Sequence, residues 1–189
     1  ASLLNTLFKN IYPVIIGKFY HASILGYYSR AESLRNFPIT SLSAVLNKVT
    51  YPLFAEIQNS DIRLKSTYKS IMQLSMFIVS PILILMIALA YPLFELVLTS
   101  KWLSAVPYFQ ILCLAGLFRP ISAYNLNILN VKGKSSLRLR LSILKRSLTI
   151  IFVIAGFQFG IFGLLIAQLI NSLVGLYINC HHSGKLINY

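Results

Sequence analysis

Acidic residues are almost missing from this chain of 189: Glu32, Glu56, Asp61 and Glu95 stand against 17 Lys and Arg. Charge of either sign is scarce, at 11% of residues where about 25% is usual. So little charge cannot cover a water-exposed surface, which argues against a soluble basic binding module. Cysteine is limited to Cys113 and Cys180, both in apolar stretches and without a CxxC or Cys/His spacing. That excludes a zinc site and a disulfide framework, and both thiols are expected to be buried and inert. No nucleophile–base pair, glycine-rich phosphate loop or metal-ligand spacing occurs. No catalytic residue, metal or cofactor is therefore expected. The three histidines, His21, His181 and His182, are expected to be solvated in loops or at span ends. The chain opens on Ala1 rather than Met and has no short apolar segment followed by a cleavage site. It is expected to be a fragment of a longer protein.

What the chain has in quantity is apolar side chains and positive charge. Hydrophobic residues make up 57%, above the roughly 45–50% of globular domains, and the formal net charge is +13. The stretch "KGKSSLRLRLSILKR", Lys132 to Arg146, holds Lys132, Lys134, Arg138, Arg140, Lys145 and Arg146 and no acid. Such a segment suits nucleic acid or an anionic membrane surface. The long uncharged runs on either side favour the membrane and leave no role for nucleic acid.

A hydrocarbon core of about 30 Å needs roughly 20 helical residues. Ser70 to Phe94 is uncharged, with Pro81 and Pro92 tolerable in a membrane helix. Ser147 to Gly184 is also uncharged, too long for one helix, and interrupted by "GFQFGIFG" from Gly156 to Gly163. The reading is an all-α polytopic membrane helix bundle of about six transmembrane helices and no soluble domain. Its spans are expected at about 1–16, 26–56, 70–94, 102–131, 140–157 and 162–181. The first is short, about 24 Å before Gly17 at 1.5 Å per residue. If the spans alternate, Arg63, Lys65, Lys69, the six cations of Lys132–Arg146 and Lys185 share one side. Lys18 and Lys101 lie on the other. The positive-inside rule makes the first set cytoplasmic, and anionic lipid headgroups are expected partners there.

Lys9, Arg30, Arg35, Lys48 and Arg119 remain inside the spans. A Lys or Arg at a helix centre costs about 2.5–3.5 kcal/mol on insertion scales. Arg30 and Lys48 lie near span ends, where long stems let the charge reach the interface. Arg119 is too deep for that and is expected to face protein or a wet cavity. Pro120 lacks an N–H, so the carbonyl of Gly116 loses its helical partner. Ser122, Asn125, Asn127 and Asn130 follow. Together they form either a ligand or hinge site or polar packing between helices. Ser135, Arg138, Ser142, Lys145 and Thr149 share one helical face. That face lines a cytoplasmic vestibule or meets headgroups. Gln168, Asn171, Ser172, Gly175 and Asn179 make a second stripe, read as helix packing. Glu32 and Arg35 are three apart and can pair; Glu32 is either neutralised that way or holds a coupling ion.

Four stretches resemble the polysaccharide flippase family, the Wzx-like transporters of lipid-linked sugar repeat units, within the superfamily that also holds multidrug extruders and the lipid II flippase. "VIIGKFYHASILGYYSRAESL" resembles the segment joining that family's seventh and eighth helices. "FPITSLSAVLNKVTYPLFAEIQNSDIRLKSTY" is similar to the eighth helix and its exit loop. "LTSKWLSAVPYFQIL" resembles the entry to the tenth helix, and "LNVKGKSSL" the link to the eleventh. The aspartate usual near the end of the seventh helix is unmatched, since "NIYPVIIG" has Asn10 and Tyr12 instead. That puts cation coupling there in doubt.

The resemblance implies one lobe of a two-lobe alternating-access transporter in a bacterial inner membrane, with an N-terminal lobe missing from this chain. It implies an undecaprenyl-diphosphate-linked oligosaccharide as substrate. On that basis Arg119, Arg35, Arg30, Asn125 and Ser122 are the expected substrate-binding residues, Arg138 and Lys145 the cytoplasmic vestibule, and Glu32 a coupling-ion candidate. The rivals are a multidrug or cation antiporter on the same scaffold and a non-transporting membrane scaffold subunit.

Overall fold

The computed structural model describes residues 10–57, 60–122 and 135–187. All regular structure among them is helical. In chain order the helices are α1 (Ile11–Phe19), α2 (Ala22–Glu56), α3 (Asp61–Ala88), α4 (Ala90–Leu98), a 3-10 segment (Ser100–Ala105), α5 (Val106–Gly116), α6 (Ser135–Phe157) and α7 (Gly160–Ile187). Lys9, Asn125, Asn127 and Asn130 lie outside the described residues.

Prolines and glycines set the boundaries. The uncharged run 70–94 is expected as one span, but the helix breaks at Leu89. Pro92 explains this: its ring would strike the carbonyl of Ala88, four residues earlier, and it has no N–H to donate. The carbonyl of Ile87, at the break, accepts a hydrogen bond from Gln110 Nε2 at 3.2 Å. At its other end α3 starts at Asp61, so Arg63, Lys65 and Lys69 lie on its N-terminal turns. The Arg119–Pro120 break is present: α5 stops at Gly116 and helix resumes at Arg119. The interruption at "GFQFGIFG" is a tight hairpin. Gly160 turns the chain with φ +72°, and Gly156 and Gly163 bring α6 and α7 into backbone contact. A Cβ on Gly156 would sit 2.7 Å from the carbonyl oxygen of Gly163, closer than any side chain allows.

The main core gathers Ile16, Tyr28, Ala31, Leu83, Phe94, Phe109, Leu112, Leu164 and Leu165. A smaller cluster of Phe54, Leu64 and Tyr68 ties α2 to α3 at their joined ends. Outside these cores the surface is apolar. Phe77 is 79% exposed, Leu96 86% and Phe159 79%. Patches of that kind in water mark aggregation or a missing partner.

Among the described residues two helices are long and apolar enough to cross a membrane, Ile62–Ala88 (27 residues) and Gly160–His182 (23 residues). Only 17% and 22% of their apolar windows are buried, so they are not core helices of a soluble fold. The other expected spans are not decided by this criterion. Helix α2 carries Arg30, Glu32, Arg35 and Lys48, and α6 carries Arg138, Arg140, Lys145 and Arg146. The expected spans 1–16 and 102–131 run into residues outside the described set. One thiol departs from expectation as well: Cys113 is buried but Cys180 is exposed. Asn179 takes the inward position on α7, and Cys180, about 100° further round the helix, turns outward.

Candidate functional site

Within this apolar exterior lies a polar cavity of about 270 Å³. Its lining includes Tyr12 from α1, Tyr28, Glu32 and Arg35 from α2, Arg119 after the α5 break, Thr149 from α6, and Gln168, Asn171 and Ser172 from α7. Tyr28, Glu32 and Arg35 step by 4 and 3, so one face of α2 supplies a whole wall. Two walls differ in chemistry. The α2–α5 side carries the charges, and the α1–α6–α7 side carries hydroxyls and amides.

Arg35 is the centre of the charged wall and is only 1% exposed. Its stem lies against the α5 backbone because Gly116 leaves room: a Cβ there would fall 3.2 Å from Arg35 Cδ and 2.9 Å from Ile39 Cδ1. Its Nη2 donates to Glu32 Oε1 at 3.2 Å and to Asn36 Oδ1 at 2.9 Å. Its Nη1 points to the carbonyl of Leu112 at 3.4 Å. Its Nε is buried without a hydrogen-bond partner. Arg119 Nη1 donates to the same Asn36 Oδ1 at 3.0 Å. One neutral amide oxygen thus holds two guanidinium groups together, with one carboxylate nearby. The site carries an excess of one positive charge from Arg35, Arg119 and Glu32.

The neutral wall explains the two polar stripes. They face each other across the α6–α7 seam. Lys145 Nζ donates to Asn179 Oδ1 at 3.0 Å, and Asn171 Nδ2 to Thr149 Oγ1 at 3.0 Å. Ser172 Oγ donates to the carbonyl of Ala115 at 2.9 Å, one of the last carbonyls of α5, which the helix end leaves without an intrahelical donor. Tyr28 OH donates to Gln168 Oε1 at 3.2 Å. The Tyr12 hydroxyl is buried with no partner. Buried polar groups are normally satisfied; among the described residues Arg35 Nε and Tyr12 OH depart from that pattern.

The expected residues separate accordingly. Arg35, Arg119 and Glu32 meet in the cavity. Arg30 does not: it is exposed and lies over the ring of Trp102 at 5.5 Å, a cation–π contact. Ser122 is half-buried one turn beyond Arg119 and is absent from the cavity lining. Asn125 lies outside the described residues, as does the side chain of Arg138. Lys145 sits along the seam beside the cavity. Tyr12, Tyr28 and Asn36 were not anticipated as site residues. Spacing along α2 points to Tyr28 and Asn36, since both are in helical register with Glu32. Nothing local pairs Asn36 with Arg119, which is 83 residues away. Among the described residues no group of three His, Cys, Asp or Glu is placed to hold a metal.

Residues 1–107 match the family model for polysaccharide biosynthesis proteins. Among curated relatives, the lipopolysaccharide biosynthesis protein WzxC of Escherichia coli K12 is 24% identical over 182 residues, covering 94% of this chain and 37% of that protein. The teichuronic acid biosynthesis protein TuaB of Bacillus subtilis is 27% identical over 137 residues, 72% of this chain and 28% of its own length. The amylovoran biosynthesis protein AmsL of Erwinia amylovora is 27% identical over 158 residues, 82% and 40%. The chain therefore spans less than half the length of each. No solved structure matches it.

Proposed function

The chain belongs to the family of polysaccharide biosynthesis proteins, and from that premise we propose that it is part of a flippase moving lipid-linked oligosaccharide repeat units across a bacterial inner membrane. The carrying observation is the pair Arg35 and Arg119, bridged by Asn36 Oδ1 and lining a polar cavity inside an apolar exterior. Two cations kept at depth are costly. Their arrangement around a single neutral oxygen leaves net positive charge for an anion. Arg suits phosphate through its planar fork of donors, so a diphosphate headgroup is the ligand the charged wall favours. The hydroxyls and amides of the opposite wall suit sugar hydroxyls. The lipid tail would stay in the bilayer against the apolar outer surface.

In this reading the chain is one multi-pass lobe of about six helices, and a second lobe closes the cavity. Rocking of the two lobes opens it to each side in turn. Lys145 on the α6–α7 seam, with Arg138 toward the start of α6, forms the cytoplasmic approach. The residues bind and orient; no bond is made or broken.

A drug or cation antiporter needs a carboxylate available to a cationic solute. Among the described residues Glu32 is the one acid at the cavity, and Arg35 already engages it. A non-transporting scaffold subunit would seal its cations in packing, whereas Arg119 is exposed and lines the cavity with Arg35. The test is polysaccharide output in cells carrying the full-length protein with Arg119→Ala or Arg119→Lys. Loss with Ala and partial retention with Lys supports the reading; full output from both removes Arg119 from the mechanism.

A further inference from the structure

Asn36 is neither charged nor part of any recognisable motif, yet two arginines converge on it. Its Oδ1 accepts from Arg35 Nη2 at 2.9 Å and from Arg119 Nη1 at 3.0 Å. Like charges repel, and nothing in local sequence holds Arg119 toward α2. Arg119 is exposed and follows a helix break, so its own segment does not fix where its side chain points. Glu32 bonds Arg35 at 3.2 Å and forms no ion pair with Arg119. The shared amide oxygen thus joins the two guanidiniums.

We propose that Asn36 is a positioning residue that fixes the spacing of Arg35 and Arg119 so that they act together on a ligand with two adjacent anionic groups, such as a diphosphate. This rests on the anion-binding reading of the cavity and adds to it the source of valence selectivity. The oxygen engages one N–H of each guanidinium, and each Arg has five. Arg35 Nε remains buried and unpartnered beside the cluster. A neutral bridge is suited to the role. An aspartate would bring the guanidiniums together more tightly but would cancel the charge that attracts the ligand. An apolar residue would let Arg119 swing away.

The experiment uses the purified full-length protein with inorganic pyrophosphate and inorganic monophosphate as probes. Affinity for each is measured by calorimetry, and thermal stability is recorded in parallel. The wild type should favour pyrophosphate. Asn36→Leu should reduce that preference about tenfold, the scale of one hydrogen bond to a charged group, because one arginine no longer acts with the other. Asn36→Asp should weaken both probes at least tenfold while stability holds or rises. A merely structural role would lower stability and both affinities together and leave their ratio unchanged; that result overturns the proposal. If the wild type binds pyrophosphate, Arg35→Gln abolishes it, and Asn36→Leu leaves the ratio intact, the positioning role fails while the anion site stands. If the wild type binds neither probe, both fail.

Discussion

Replacing Arg35 separates what holds the fold from what binds the ligand. The Arg35–Glu32 pair is 3.2 Å apart, with Arg35 1% and Glu32 23% exposed. At an effective dielectric of about 20, two unit charges at that distance attract by about 5 kcal/mol. Desolvating each ion costs several kcal/mol, so the intact pair is close to neutral for stability. Removing one partner is different, because the other stays behind unpaired; the usual cost is about 3–5 kcal/mol. Glu32 is partly exposed and can rehydrate, which lowers the expected cost of Arg35→Met to about 2–3 kcal/mol. Adding Glu32→Leu removes the stranded carboxylate and should return the double variant to within about 1 kcal/mol of wild type. Denaturant unfolding of the purified full-length protein measures all three. Transport should be lost in the single and double variants alike, since neither retains the Arg35 guanidinium. If Arg35→Met unfolds like wild type, or if the double variant is as unstable as the single, the buried ion pair described above is not what organises this wall.

Other perturbations test separate parts of the structure. Gly163→Ala places a Cβ against the Gly156 carbonyl and the Phe159 side chain and should cost about 1–3 kcal/mol, as overpacking does, measured by the same unfolding experiment. Thr99 has φ 79° and ψ 162°, a region open to glycine and strained for a β-branched residue. Thr99→Gly should stabilise the protein by about 1 kcal/mol, and a loss of stability would show the turn is not strained. In a background with Cys180→Ser, Thr149→Cys on the cavity wall should react with a small hydrophilic thiol reagent, and Ile151→Cys on the apolar face should not. Faster labelling at position 151, which is 60% exposed, would mean that this face meets water and not lipid.

How much of this was legible beforehand follows from the range of the interactions involved. The helix around 70–94 shows in the sequence because a run of apolar residues and a pair of bounding charges are local facts. The hairpin at 156–163 shows for the same reason, since glycine density marks close backbone approach. The break at Leu89 is also local, three residues before Pro92, but tolerance of proline in membrane helices hides it. The cavity was less legible. Arg119 was flagged by depth and Arg35 by its spacing from Glu32, and both line it. Arg30 looked equivalent by composition, but a helix places residues 30 and 35 about 140° apart, and the structure puts Arg30 over Trp102. The two polar stripes on α6 and α7 were visible separately; that they face each other depends on the hairpin crossing, which glycine contacts set. Asn36 was invisible because its meaning comes from a partner 83 residues away.

The account turns on the cavity arginines recognising negative charge on the transported lipid. Its most direct test is translocation in proteoliposomes containing the full-length protein, comparing a fluorescent polyprenyl lipid carrying a diphosphate-linked sugar with the same lipid bearing an uncharged linker. The account predicts translocation of the diphosphate form alone, and its loss when Arg35 and Arg119 are both replaced by Gln. Equal translocation of the uncharged lipid, or undiminished translocation by the double variant, would contradict it.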